Sequence, residues 1–216
     1  AEGEIHGLYG GYPIAIALSN YAVKLAVSMI NINEGSVKST IAFYNYGTVG
    51  QNEIDHCVGV NNYDDMVIPE MEFTSNDRMV AFGDTKAVIF EGAQKPQAIA
   101  EIAMDEKTKS IFYNERYIGI VTGNEDEAVT NHLAVYDENG KLVMEKDFGL
   151  DYSSIEFLSN NEICIRNANA CDIYTVHGVY KFHHEFEEEL FEIIPGKLKL
   201  NYTLVLKDTT QRIRLK

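Results

Sequence analysis

Short apolar runs alternate with polar turns along this chain, and the turns recur in a fixed order. Four segments lead from an apolar residue into a small polar turn: Leu18-Ser19-Asn20, Phe73-Thr74-Ser75-Asn76, Phe112-Tyr113-Asn114 and Phe157-Leu158-Ser159-Asn160. Each is followed by a second apolar run, Leu25 to Val27, Met79 to Phe82, Tyr117 to Val121 and Ile163 to Ile165. A third run follows and ends on an aromatic residue: Tyr44, Phe90, Tyr136 or Tyr174. A glycine turn comes next. Tyr136 to Gly140 and Tyr174 to Gly178 share one offset, whereas Tyr44 to Gly47 and Phe90 to Gly92 are shortened forms. Glycine suits these positions because a tight hairpin needs positive φ, which costs other residues energy. A fourth run leads outward, clearest in Lys141 to Phe148 and Val179 to Phe186. In the latter, Val179, Lys181 and His183 share one face and Tyr180, Phe182 and His184 the other.

Four short strands per unit, in units of roughly 40 to 55 residues, are the signature of propeller blades. Evenly spaced short strands also suit a β-sandwich, but a sandwich has no reason to repeat the same two turn types in alternation. No long segment keeps a 3.6-residue apolar period with caps, so helix is not expected. The predicted fold is all-β: a β-propeller of four-stranded antiparallel blades, about four to five in this chain. Blades are expected at residues 12–65, 66–106, 107–149, 150–189 and an incomplete one at 190–216. The last has about three strands, Phe191 to Ile194, Leu198 to Leu206 and Arg212 to Leu215. An abrupt start just before a first strand suggests the C-terminal part of a larger ring. The bare edge is expected to be covered by upstream residues, a second copy or strand exchange.

Composition narrows the function. With 216 residues, 45% of them hydrophobic, the chain can bury a sizeable core. A net charge of −15 repels phosphate backbones and excludes nucleic acid as a partner. The three cysteines, Cys57, Cys164 and Cys171, form neither an even framework nor a C-x-x-C pair. They read as small apolar fillers, with a local Cys164–Cys171 disulfide as the alternative. No apolar run reaches the roughly 20 residues that span a bilayer. Tyr12 to Ile30 comes nearest and is broken by Pro13, Ser19, Asn20 and Lys24, so it reads as two strands and a turn.

Candidate chemistry is sparse. His183, His184 and Glu185 precede the acidic run Glu187 to Glu189, but adjacent strand residues face opposite ways, leaving at most His183 and Glu185 for one metal. Asn124-Glu125-Asp126-Glu127 lacks the alternating ligands and central glycine of a calcium loop and reads as a hairpin tip. Asp137 to Gly140 is explained by turn chemistry. There is no G-x-S-x-G elbow, Cys57 beside His56 is mere sequence adjacency, and Gly47 to Asn52 lacks the lysine of a phosphate-binding loop. No catalytic, metal or cofactor site is therefore expected. Among the thirteen tyrosines, Tyr44, Tyr136 and Tyr174 are expected to pack between blades. Tyr9, Tyr12, Tyr46 and Tyr63 fall in loops and are the candidates for a binding surface.

Six segments carry a resemblance: Tyr12 to Ser19, Lys24 to Ser28, Phe43 to Gly47, Ala81 to Asp84, Val135 to Lys141 and Ile213 to Lys216. In this order they resemble an uncharacterised bacterial family, a propeller-like domain of unknown function from anaerobic gut bacteria. The resemblance implies a longer parent with more blades upstream and an N-terminal hydrophobic anchor, hence extracytoplasmic and membrane-tethered. It implies no activity. The expected role is a non-catalytic binding or scaffolding module of the cell envelope, recruiting a protein, peptide or glycan or self-associating through an open blade edge. A propeller-type carbohydrate hydrolase with carboxylates in the central channel is the alternative, and a purely structural domain is a third reading.

Overall fold

A computed structural model describes residues 11–33, 35–45, 57–75, 77–123 and 131–214. Among them every regular element is a strand. The first sheet holds β1 (Tyr12–Leu18), β2 (Lys24–Asn33), β3 (Ser36–Asn45) and β4 (Cys57–Asp64). The second holds β5 (Glu70–Phe73), β6 (Arg78–Phe82), β7 (Lys86–Glu91) and β8 (Gln97–Ala103). The third holds β9 (Thr108–Tyr113), β10 (Tyr117–Gly123), β11 (Asn131–Asp137) and β12 (Leu142–Phe148). The fourth holds β13 (Ser154–Phe157), β14 (Ile163–Arg166), β15 (Ala170–Tyr174) and β16 (Tyr180–Glu185). The fifth holds three described strands, β17 (Leu190–Pro195), β18 (Asn201–Leu206) and β19 (Thr210–Arg214). Each sheet is an antiparallel meander in chain order. Leu198 to Leu200, expected to open a strand, instead form the β17–β18 turn, where Asn201 Nδ2 donates to the carbonyls of Leu198 and Lys199 and Leu200 takes a left-handed φ of 64°.

The chain divides into two compact units, Ala1–Glu106 and Lys107–Lys216. In the first, β1 lies beside β5, so the two sheets meet through their first strands. The core there unites Phe43, whose ring centroid lies 5.2 Å from that of Phe90, with Ile41, Ile68 and Met79. Two buried serines tie the linking segment to the first sheet: Ser28 Oγ donates to the carbonyl of Ile68 at 2.9 Å and Ser39 Oγ to that of Met66 at 2.6 Å. In the second unit, β9 lies beside β13. One core there spans the third and fourth sheets through Val121, Leu133 and Ile163, and another spans the fourth and fifth through Cys164, Ile173 and Leu204.

Two positions recur in the sheets and build the rims. The first hairpin closes on a backbone bond accepted by the carbonyl of Lys24, Arg78, Tyr117, Glu162 or Asn201 in turn. The side chain there bridges outward: Lys24 Nζ donates to Asp77 and, at 3.0 Å, to the carbonyl of Gly92, while Tyr117 packs on Phe157. The second position is a β-bulge. The ladder between third and fourth strands shifts at Phe43/Tyr44, Ile89/Phe90, Val135/Tyr136 and Ile173/Tyr174. The extra residues on the fourth strands are Val58, Ile99, Val143 and Lys181. A bulge twists its strand and re-aims that side chain.

Candidate functional site

A depression of about 740 Å³ opens in the first unit where β4, β7 and β8 end near the β6–β7 turn. Tyr63 lies in it, on β4 opposite Ser39, rather than in a loop as the sequence suggested. Lys86 opens β7 and donates from Nζ to both oxygens of Glu101 at 2.8 Å, with the same ammonium 5.6 Å from the centre of the Tyr63 ring. Burial, and secondarily the Glu101 charge, push the Tyr63 phenol up to about 12, so it keeps its proton and remains a hydrogen-bond donor at neutral pH. Asn62 accepts from Thr40 Oγ1 through Oδ1 at 2.9 Å, which leaves its N–H groups to a ligand. Asp64 pairs with Lys38 at 3.0 Å on the exposed edge. The arrangement offers an aromatic ring, a phenol donor, an amide and an ion-paired carboxylate on rigid strands, a set that suits hydroxyl- or amide-rich ligands.

A second cleft, about 530 Å³, lies in the second unit between the β13–β14 and β17–β18 turns. Its floor is a buried polar network. Lys181 Nζ donates to Glu162 Oε1, Tyr202 Oη donates to Glu162 Oε2 at 2.6 Å, and Lys181 Nζ reaches Tyr202 Oη at 3.2 Å. Burial, then the Glu162 contact, push the Tyr202 phenol up. Lys197 to Leu200 form one wall, with Leu198 74% exposed, and Asn160 and Asn201 close the sides.

The remaining sequence candidates separate. Tyr12 is 79% exposed but stands on β1 with Ile14, Ile16 and Leu18 as an apolar stripe, again on a strand instead of a loop. Tyr9 and Tyr46 lie outside the described residues, as do Asn124 to Glu127, Gly47 to Asn52 and His56. Tyr44 and Tyr174 are buried, whereas Tyr136, expected to pack between blades, is half-buried at the end of β11. His183 Nδ1 lies 2.8 Å from Asp172 across the ladder, with Glu185 3.7 Å from Nε2. Asp172 thus takes up the histidine, and among the described residues no cluster of three His, Cys, Asp or Glu could hold a metal. Asp137 Oδ1 accepts from the backbone of Asn139 and Lys141, and Gly140 has φ 73°, a turn closed by its own side chain. Cys164 and Cys171 are free thiols, both fully buried, and no disulfide joins them. Sequence reasoning missed Lys86, Glu101, Glu162, Lys181 and Tyr202. Their partners come from different strands, and only the unequal residues at repeated positions marked them.

No helix among the described residues is long and apolar enough to cross a membrane. No curated protein matches the chain in sequence. Among solved structures, the β-propeller domain of the trilobed protease from Pyrococcus furiosus superposes with a TM-score of 0.50 at 10% identity, over 94% of this chain and 70% of that one. BBS1N in its complex with ARL6DN gives a TM-score of 0.49 at 14% identity, over 94% of this chain and 63% of that one. A eukaryotic initiation factor gives 0.45 at 14% identity, over 84% and 56%. The chain therefore spans about three fifths of the length of the latter two. The likeness to the archaeal propeller, with the four-stranded antiparallel sheets, shows the fold to be an all-β propeller architecture. A family model matches residues 1–215 from end to end, and the chain belongs to that family, DUF5711, a family of unknown function.

Proposed function

We propose that the chain is a non-catalytic binding module of the bacterial cell envelope that takes a peptide or glycan ligand in the depression around Tyr63. The observation that carries this reading is the Tyr63–Lys86–Glu101 arrangement, a phenol and an ion pair mounted on β4, β7 and β8 around an open volume of about 740 Å³. Binding sites are commonly polar groups converging in a concave surface on a rigid scaffold. The envelope location, with a membrane-tethered extracytoplasmic parent and further blades upstream, rests on the family resemblance. A carbohydrate hydrolase needs two carboxyl groups facing across a cleft. The depression supplies Asp64 and Glu101, each already paired with a lysine.

Arrays of bacterial glycans and of extended peptides probed with the full chain test the reading. A bound species is expected to be lost in Tyr63→Ala and in Lys86→Gln, with melting temperatures within a few degrees of wild type. Hydrolysis of an arrayed glycan that disappears in Glu101→Gln would replace the binding reading with the enzymatic one. A bound ligand indifferent to both variants would remove the depression from it.

A further inference from the structure

The fourth sheet departs from the repeat at two positions that meet in one place. At the bulge, the other four-stranded sheets carry Val58, Ile99 and Val143, and the fourth carries Lys181. At the hairpin-closing position, the preceding sheets carry Lys24, Arg78 and Tyr117, and the fourth carries the acid Glu162. Lys181 and Glu162 are bonded to each other and to Tyr202 at the floor of the 530 Å³ cleft. Packing alone explains an aliphatic residue at a bulge. It does not explain a lysine turned inward there with a carboxylate placed to receive it.

The last segment of the chain is also where its charge changes sign. Residues 190–216 carry six lysines and arginines against Glu192 and Asp208, a net charge of +4 that leaves −19 on the rest. Lys181 is neutralised by Glu162, so the cationic character of the cleft comes from Lys197 and Lys199. Neither forms an ion pair with a described residue. Their turn has a fixed shape: Gly196 N donates to the carbonyl of Asn201 at 2.7 Å, and the Asn201 side chain holds the carbonyls of Leu198 and Lys199. Leu198 and Leu200 stand exposed in the same turn. Asn160 spends its Oδ1 on the Glu162 backbone, which leaves its N–H groups as donors.

We propose that this cleft is a second binding site, one that takes an acidic peptide segment whose carboxylates alternate with large apolar side chains. The carboxylates meet Lys197, Lys199 and the side-chain amide of Asn160. The apolar side chains lie against Leu198 and Leu200. The Lys181–Glu162–Tyr202 network is the rigid floor, positioning the walls without contacting the carboxylates. An anionic bilayer offers the same charge, but the −19 on the rest of the chain opposes its approach, and a concave cleft suits a strand of peptide better than a flat surface.

The test titrates an acetylated, amidated Glu-Leu-Glu-Leu peptide into the 15N-labelled full chain. Expected are amide shifts confined to residues 160–162, 181 and 196–201, an affinity at least about tenfold weaker in Lys197→Gln/Lys199→Gln, and a similar loss at about 1 M salt, where screening shortens to about 3 Å. Both lysines are exposed, so the double variant keeps the fold, and Lys181 is left intact because it holds the floor. The proposal is overturned by absence of shifts in the cleft at millimolar peptide, by equal binding of a Gln-Leu-Gln-Leu peptide, or by an unchanged double variant. Binding to phosphatidylglycerol vesicles without a response to peptide also overturns it, in favour of a membrane.

Discussion

Single side chains in this protein are assigned to holding one sheet against the next. Glu162 is the clearest case, because both its oxygens are bonded, one to Lys181 of its own sheet and one to Tyr202 of the fifth. Removing one partner of a largely buried ion pair strands the other, so Glu162→Gln is expected to cost about 2 kcal/mol, discounted for the residual exposure of both groups. Tyr202→Phe, which deletes one hydrogen bond, should cost about 1 kcal/mol. Urea denaturation of the two variants measures the difference. Thiol reactivity follows burial in the same way. Desolvation pushes the Cys171 thiol up to about 12 and the Cys164 thiol up as well, so both stay protonated. In the native chain a disulfide reagent should therefore titrate only the half-buried Cys57 quickly, and all three thiols after denaturation. His183 adds a pH dependence. Its hydrogen bond to Asp172 raises its pKa above the ordinary 6.5. A raised histidine stabilises fully below the unfolded value, and that contribution disappears as pH rises through the folded value. The melting temperature of the wild type relative to Asp172→Asn should accordingly be higher at pH 5 than at pH 8. A constant gap between the two proteins across that range would show the bond to be indifferent to protonation.

At the scale of elements, the sheets depend on glycines placed where a strand meets an aromatic ring or a turn. Gly119 on β10 sits opposite Phe112 on β9, and a Cβ there would lie 2.2 Å from the ring. The ring lies over the glycine and packs on Phe157 of the fourth sheet at 4.6 Å between centroids, so Gly119→Ala must displace the Phe112 ring. That substitution is expected to destabilise by about 2–3 kcal/mol through overpacking. Gly35→Ala, with nothing within 4 Å of the added Cβ, meets only the penalty of its left-handed φ of 85°, about 1–2 kcal/mol. Chemical denaturation of both should rank Gly119→Ala as the more damaging, and the reverse order would show that the ring can swing aside. The repeated bulge beside the aromatic-Gly turn is the element's other device, since it turns the strand end so that Lys181 reaches across to Glu162.

Over the whole molecule, charge is distributed unevenly. The first unit holds 15 acidic and 5 basic residues and the second 18 and 13, net charges of −10 and −5. Such an excess opposes the chain's own compaction through self-repulsion. Raising sodium chloride from about 20 mM to about 500 mM should therefore raise the melting temperature by several degrees, as screening relieves long-range repulsion. A fall would mean that pairs such as Lys86–Glu101 and Arg78–Glu91 contribute more than the repulsion costs.

Much of the architecture was legible before any coordinates, because strand period and turn chemistry are local properties. The Tyr136 to Gly140 and Tyr174 to Gly178 offsets marked turns whose glycines do take positive φ, and the Ser and Asn turns marked where side-chain oxygens accept backbone N–H groups, as Asn114 does from Arg116 and Tyr117. Local chemistry misled where a tertiary partner decided the outcome: Tyr12 and Tyr63 looked like loop residues and are in strands, and Leu198 looked like a strand residue and is in a turn. Neither depression was visible in the sequence. Glu101 lies 15 positions from Lys86, and Tyr202 lies 40 from Glu162, so each meeting depends on how a strand pairs or which sheet stands next to it. The sequence by itself determined that the chain folds as repeated antiparallel sheets joined by two kinds of turn. Only the tertiary structure decided which of its many charges face one another, because ladder register and sheet-on-sheet packing set those distances.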